Sequence, residues 1–406
     1  MRPSRFTAIA PVQKDNLMIL VVCQLISATG SIVMVTLGGI IGATLTDNPA
    51  WSTLPVSMMV VAMAATTVPA TALMRAIGRG KGFAAASLSA VVAALLAAQA
   101  LSAASFSLFV VAAAMFGINM AFTQQYRYAA AESVPVRYTA RAISFVLLGA
   151  IGGAFIGPEL AVRGQNWVVD VPYAGTMYAV AVLYFLQAFI FLRLKGVEAP
   201  HDFANPQSDR PLGEIVMQRA FLVAVLGATA GFGLMTLIMT ATPLSMHIND
   251  GYSLQQTASV IRGHVLGMYL PSLISGFLIE RLGVARMMFI GALTLLVTSI
   301  VGLQGQTVLH YWWALVFLGV GWNFLYVGGT TMLTYTYSMA ERFRAQAVNE
   351  FLVFGTAATA SLLAGSVMHY FGWFRLMLIP IPILIFVCLA LLFVRRDPVL
   401  RTAERA

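Results

Sequence analysis

The chain has 406 residues, of which 59% are hydrophobic and only 10% are charged, and its formal net charge is +9. A soluble domain is about 25% charged, so this composition excludes an ordinary soluble protein and indicates an integral membrane protein. Both cysteines, Cys23 and Cys388, lie in apolar segments, which excludes a disulfide framework or a cysteine-rich metal site.

Apolar stretches close to the ~20 residues that a helix needs to cross a bilayer recur along the whole chain. They predict twelve transmembrane helices, numbered here as spans 1 to 12. The first apolar run is too long for a signal-peptide core and is expected to be retained. The expected bounds are 16–45, 52–75, 83–103, 106–132, 141–161, 171–193, 218–245, 256–279, 286–304, 309–337, 346–368 and 373–394.

The distribution of positive charge orients these spans. All but three of the 24 Lys and Arg residues fall on one side of the predicted topology, and the exceptions are Arg163, Arg262 and Arg375. The positive-inside rule therefore places both termini in the cytoplasm and predicts a multi-pass protein of the inner (cytoplasmic) membrane. The excess of positive over negative side chains indicates contact with anionic lipid, and no nucleic-acid partner is expected.

The longest polar segment divides the chain into two similar halves. Residues 195–217, KGVEAPHDFANPQSDRPLGEIVM, predict a cytoplasmic linker with a surface helix near its end. On either side, Ala28-Thr29 recurs as Ala228-Thr229, and Gly117-Ile118-Asn119 recurs as Gly321-Trp322-Asn323. We therefore expect an N-terminal bundle over 1–194 and a C-terminal bundle over 218–406. A duplicated unit of this kind is typical of secondary transporters.

Two loops carry related patterns of glycine and charge. The loop between spans 2 and 3 keeps Leu73, Gly78, Arg79 and Lys81, and the loop between spans 8 and 9 reads GFLIERLGVAR, residues 276–286. Both resemble the G-x-L-x-D-R-x-G-R-R/K loop of the major facilitator superfamily, although Thr71 and Arg75 replace the glycine and the acid in the first.

Two further segments carry the same resemblance, which covers nearly the whole chain. GAIGGAFIGP (149–158) is similar to the core of the family's antiporter signature, and MAERFRAQAVNEFLVFG (339–355) is similar to a segment of bacterial permeases of mostly unassigned substrate. The resemblance implies an all-α integral membrane protein with the major facilitator (MFS) fold, in which twelve transmembrane helices form two pseudo-symmetric six-helix bundles that work by alternating access.

The resemblance also implies a gate on the cytoplasmic side. In this family the two loops pack beside the cytoplasmic ends of helices 11 and 5. We hypothesise two inner clasps, one between Arg75 and Glu350 and the other between Glu280 and Arg141. The alternative is that Arg75 and its neighbouring cations only determine topology.

Polar and aromatic residues mark a candidate substrate path. Polar groups inside a bilayer usually face the bundle interior, and helices 1, 4, 7 and 10 line the central cavity in the resembled family. Trp322, Tyr326 and Tyr126 would stack against a flat, partly apolar solute. Arg127 has the alternative of snorkelling to the interface. The substrate-binding candidates are Gln24, Asn119, Arg127, Trp322, Asn323 and Tyr326.

Two titratable residues are candidates for proton coupling. His264 in span 8 can change charge near neutral pH, and Glu159 lies at the outer end of span 5. The alternatives are a structural histidine and a solvated rim carboxylate. No acid lies in the middle of spans 1, 4, 7 or 10, so strong selection for cations by a buried carboxylate is not expected.

These observations predict a secondary active transporter that takes up a small nutrient or vitamin-like metabolite. The alternative is a multidrug-type efflux antiporter, and a more remote one is a transporter-like membrane sensor. The chain has no P-loop and no G-x-S-x-G or H-E-x-x-H motif, so neither an enzyme nor a bound cofactor or metal is expected. We expect a monomer whose partners are its substrate, membrane lipids and, if transport is coupled, protons.

Overall fold

The protein is described by a computed structural model that covers residues 11–134, 139–195, 210–338, 341–395 and 397–398. Helix is the only regular secondary structure within these ranges. The α-helices are α1 (Pro11–Leu45), α2 (Leu54–Ile77), α3 (Arg79–Ser102), α4 (Phe106–Thr123), α5 (Tyr126–Glu132), α6 (Thr139–Arg163), α7 (Ala174–Phe191), α8 (Leu212–Val216), α9 (Arg219–Pro243), α10 (Leu254–Tyr269), α11 (Ser272–Leu282), α12 (Val284–Gln304), α13 (Val308–Thr334), α14 (Arg342–Leu378) and α15 (Pro380–Val394).

The helices account for the twelve predicted spans. Ten described stretches are long and apolar enough to cross a membrane. The last of them, Arg344–Val394, holds two crossings, because Gly372 has a φ of 71° and breaks α14. Span 8 supplies the remaining crossing as two consecutive helices, α10 and α11. They are separated at Pro271, because proline has no N–H to continue the backbone hydrogen bonds of a helix. The predicted fold class is confirmed.

The described chain forms two compact units. The first comprises Met1–Gly38 and Met58–His201, and the second comprises Gly39–Ser57 and Asp202–Ala406. The boundaries expected from the sequence, 1–194, 195–217 and 218–406, stay a prediction. The surface helix expected near the end of the linker is present as the short α8.

A buried polar network joins four helices of the first unit. The side-chain amide of Gln187 on α7 donates to Ser87 Oγ on α3 at 2.9 Å and to the Tyr126 hydroxyl on α5 at 3.2 Å. Its carbonyl oxygen accepts from Ser27 Oγ on α1 at 3.3 Å. Because an unsatisfied amide in this position would be costly, the network specifies how these helices pack.

Glycines on one face of α6 explain the sequence GAIGGAFIGP. A Cβ added at Gly153 would lie 2.6 Å from the Ala28 Cβ and 2.9 Å from the Thr29 nitrogen, and one added at Gly157 would lie 2.9 Å from the Ile32 Cβ. The glycines therefore let α6 approach α1 closely, as small residues do between membrane helices. This packing role accounts for the motif without reference to antiport.

We expect Gly153→Ala to destabilise the protein by about 1–3 kcal/mol, because the added methyl group overlaps the α1 backbone and forces the helices apart. Gly355→Ala on α14 is the matched control, since a Cβ there meets nothing within 4 Å. Replacing a helical glycine by alanine in open space is neutral or stabilising. Thermal unfolding of the purified variants measures the difference, and equal melting temperatures would contradict the packing role.

Hydroxyl groups connect three segments of the second unit. Ser361 Oγ on α14 donates to Ser57 Oγ at 3.1 Å and lies 3.3 Å from Thr240 Oγ1 on α9. All three residues are buried. The segment Gly39–Ser57 is thereby held against α14 and α9 by polar contacts as well as by apolar packing.

Candidate functional site

Four aromatic side chains of the second unit, Phe232, Trp322, Tyr326 and Phe354, form what we call the aromatic cluster. Trp322 and Tyr326 lie one turn apart on α13, and their ring planes are 12° from parallel with centroids 5.1 Å apart. Phe232 on α9 meets both rings edge-on, at 5.6 and 5.4 Å, and contacts Phe354 on α14 at 5.4 Å. Three helices therefore converge on one aromatic wall, as the spacing of Trp322 and Tyr326 allows.

Two buried polar atoms beside the cluster have no hydrogen-bond partner within the described ranges. One is the indole nitrogen of Trp322, and the other is Oγ1 of Thr229, which lies one turn before Phe232 on α9. A buried indole N–H usually finds an acceptor. Membrane-embedded threonines commonly donate to the carbonyl four residues earlier, as Thr242 does to Ile238 at 2.7 Å. Within the described ranges, the hydrogen-bonding capacity of these two buried atoms is therefore unused.

Asn323, the neighbour of Trp322, points elsewhere. Its side-chain nitrogen donates to the Met268 carbonyl at 2.8 Å and to Ser272 Oγ at 2.6 Å, and its oxygen accepts from Ser275 Oγ at 2.7 Å. These partners flank the break between α10 and α11. The geometry assigns Asn323 a packing contact with span 8, with its side-chain hydrogen bonds already made inside the protein.

The first unit places its two amide candidates differently. Asn119 is fully buried and its nitrogen donates to the Ala86 carbonyl of α3 at 3.0 Å, while its oxygen has no hydrogen-bond partner among the described residues. Gln24 is buried and makes no hydrogen bond within the described part of the chain, and its Cβ lies beside Gly149 of α6. A substrate contact by either residue stays a prediction.

Arg127 lies beyond the end of α4. That helix ends at Thr123, and Arg127 belongs to the short α5, where its guanidinium lies 5.0 Å from the centroid of the Tyr128 ring. Span 4, expected as one helix over 106–132, is therefore interrupted between Asn119 and Arg127. Arg127 is half-buried and packs against the exposed Tyr128, as expected for an arginine that snorkels to the interface.

The two proton-coupling candidates have contrasting surroundings. Glu159 accepts a hydrogen bond from Arg163 one turn later at 2.5 Å, in an ion pair whose arginine is 73% exposed. His264 is fully buried, its Nδ1 lies 2.8 Å from the Leu315 carbonyl, and its Nε2 has no hydrogen-bond partner within the described ranges. Glu159 has the geometry of a rim residue, and His264 stays the better candidate.

The predicted clasps fall largely outside the described residues. The side chains of Arg75, Arg141 and Glu280 are not among those that the structure describes, and Glu350 lies half-buried on α14. Both pairings stay predictions.

An ion pair that the sequence analysis missed lies just before the start of α14. Arg210, at the end of the linker, makes two hydrogen bonds with the buried Glu341 carboxylate at 2.8 and 2.5 Å. The Glu341 carboxylate raises the pKa of Arg210. Arg210 also donates to the Thr336 carbonyl at 3.2 Å. The contacts fasten the linker end to the loop before α14, and 131 residues separate the partners, so no local pattern reveals them.

Known proteins share both the sequence and the architecture. The Major Facilitator Superfamily profile matches residues 17–262 and 239–406. The riboflavin transporter RfnT of Brucella anthropi is 35% identical over 384 residues, which cover 94% of this chain and 96% of that protein.

Two solved structures are similar in fold. A bacterial homologue of the human lysosomal transporter Spinster, in an inward-facing and unoccupied conformation, gives a TM-score of 0.71 at 14% identity and covers 97% of this chain and 98% of its own. The nucleoside transporter NupG gives a TM-score of 0.69 at 14% identity and covers 95% of this chain and 100% of its own.

Proposed function

Because the chain belongs to the Major Facilitator Superfamily, a family of membrane transporters and not of enzymes, we propose that it takes up a flat heteroaromatic metabolite, with riboflavin as the first candidate. The relative RfnT is named for riboflavin and covers nearly the whole chain. Transport of a small molecule follows from the family, and the choice of riboflavin is our proposal.

The aromatic cluster is the observation that carries this choice. Stacking of a base on an aromatic side chain contributes about 1–3 kcal/mol, and the isoalloxazine ring of riboflavin presents a larger flat face than a base does. Trp322 supplies a buried indole N–H for a ring carbonyl or nitrogen, and Thr229 supplies a hydroxyl. The cluster therefore offers both the apolar face and the few directed polar groups that a ligand site needs.

The charge of the cavity-lining helices fits a neutral solute. In α1, α4, α9 and α13, which form spans 1, 4, 7 and 10, the charged residues lie only at helix starts: Lys14 and Asp15 on α1 and Arg219 on α9. Riboflavin is uncharged at neutral pH, so it requires no buried counter-charge, whose desolvation would be costly in the bilayer.

We further propose that the chain lies in the inner membrane with both termini cytoplasmic and that it functions as a monomer. Residues 1–194 and 218–406 would be the two moving halves, joined by the linker 195–217. Proton coupling, if present, would use His264 in preference to Glu159. The orientation is supported by the placement of 24 cationic residues, nearly all on one side of the topology.

Counterflow in liposomes tests the function. Purified protein is reconstituted into liposomes loaded with unlabelled riboflavin, and entry of labelled riboflavin is followed at two pH values. We expect accumulation that protein-free liposomes lack and that excess unlabelled riboflavin added outside abolishes. Absence of riboflavin counterflow, together with exchange of cationic dyes by the same liposomes, would reject the proposal in favour of drug efflux.

A further inference from the structure

The ends of α9 and α15 enclose a cleft of about 460 Å³, which we call the inner cleft. It lies where α9 begins and α15 ends, on the side of the protein that also carries the Arg210–Glu341 pair. The lining residues are Arg219, Leu392, Phe393, Val394, Arg395, Asp397 and Pro398. None of these residues belongs to the aromatic cluster or to any candidate substrate site.

Two guanidinium groups give the inner cleft its charge. Arg219 and Arg395 are exposed, and neither forms an ion pair with another residue in the described ranges. The Arg219 guanidinium lies 5.4 Å from the centroid of the Phe393 ring, a cation–π distance that holds it at the edge of the cleft. With two arginines against the single carboxylate of Asp397, the lining attracts an anion.

Apolar side chains continue from the cleft along the outer face of α15. Phe386, Leu389 and Phe393 are 61%, 60% and 67% exposed, and their spacing of three and four residues places them on one stripe of the helix. Leu222 of α9 is also exposed, one turn beyond Arg219. In a protein that spans the bilayer, such a stripe contacts lipid chains, so apolar and cationic surfaces are continuous here.

We propose that the inner cleft binds the phosphate headgroup of an anionic phospholipid, whose acyl chains lie along the α15 stripe. The two guanidinium groups match phosphate geometry through paired N–H donors. Basic pockets between membrane helices at the cytoplasmic surface are suited to anionic headgroups, and the adjacent exposed stripe favours a lipid over free phosphate. The inference is independent of which solute the protein carries.

Lipid-dependent thermal stability tests this site. The purified chain is melted in detergent with added phosphatidylglycerol, phosphatidylcholine or inorganic phosphate. We expect phosphatidylglycerol to raise the melting temperature, and the other two to have little effect. In native mass spectrometry the double variant Arg219→Gln/Arg395→Gln should bind phosphatidylglycerol about 25-fold more weakly, since each basic residue contributes about fivefold.

Arg286→Gln is the matched control, because Arg286 is an exposed arginine of the same unit that does not line the inner cleft. It should retain the full stabilisation by phosphatidylglycerol. If the double variant is too unstable to purify, the single variant Arg395→Gln replaces it and should bind phosphatidylglycerol about fivefold more weakly than the wild type. Equal stabilisation of the double variant and the wild type by phosphatidylglycerol would overturn the proposal. The proposal would also be overturned if inorganic phosphate raised the melting temperature of the wild type as much as phosphatidylglycerol does.

Discussion

Replacing Trp322 by alanine is expected to raise the KM for riboflavin by about 10- to 100-fold. The substitution removes the largest ring of the aromatic cluster, and loss of one stacking partner costs about 1–3 kcal/mol, which corresponds to roughly 5- to 150-fold in affinity. It also removes the indole N–H that has no partner within the described protein. Initial rates of riboflavin uptake into proteoliposomes, measured over a range of concentrations, give the effect.

Two further variants separate substrate contact from folding. Trp322→Phe keeps an aromatic ring against Tyr326 and Phe232 but loses the N–H, so we expect a smaller rise in KM, of about 5- to 10-fold. Trp313→Ala removes an exposed tryptophan of the same helix whose ring contacts Phe317, away from the cluster. That control should leave KM unchanged. If the Trp322→Ala protein had the wild-type KM, the aromatic cluster would not be part of the substrate site.

Asn323→Ala should lower the stability of the protein by about 2 kcal/mol without changing the KM of the molecules that fold. The buried Asn323 side chain makes three hydrogen bonds to residues on either side of the break between α10 and α11. Hydrogen bonds between membrane helices average about 0.6 kcal/mol each. The melting temperature and the uptake kinetics of the same preparation test both parts of the prediction.

Asn119→Ala provides the matched comparison, because Asn119 is equally buried but donates a single side-chain hydrogen bond. The decrease in melting temperature of Asn119→Ala should be about a third of the decrease for Asn323→Ala. If Asn323→Ala instead melted like the wild type and raised the KM for riboflavin, Asn323 would be a substrate ligand and the packing role assigned to it would be wrong.

The spans themselves could be predicted from the sequence, since bilayer thickness and apolar composition fix the length of each helix. Even the breaks have local causes, such as Pro271 between α10 and α11 and Gly372 inside α14. The pairing of Trp322 with Tyr326 was also predictable, because residues four apart share a helix face. These features depend only on residues that are near each other in the chain.

The direction in which each helix faces could not be predicted in this way. The repeated triplets 117–119 and 321–323 suggested equivalent asparagines, but Asn119 bonds to span 3 and Asn323 bonds to span 8. Span 8 corresponds to span 2 in a six-helix repeat, so the two side chains contact non-equivalent neighbours. Rotation of a helix about its axis is set by packing against segments that are distant in the sequence. The network around Gln187 could not be predicted for the same reason, because its partners are also distant in the sequence.

Quenching of riboflavin fluorescence tests the central claim most directly, because flavin emission is quenched when the ring stacks on tryptophan or tyrosine. Titration of purified wild-type protein into riboflavin should give saturable quenching. Trp322→Leu, which leaves Tyr326 in the cluster, should reduce both the amplitude and the affinity of this quenching, while Trp313→Ala leaves them intact. Saturable binding of riboflavin with undiminished emission, or quenching that Trp322→Leu does not alter, would contradict a substrate site at the aromatic cluster.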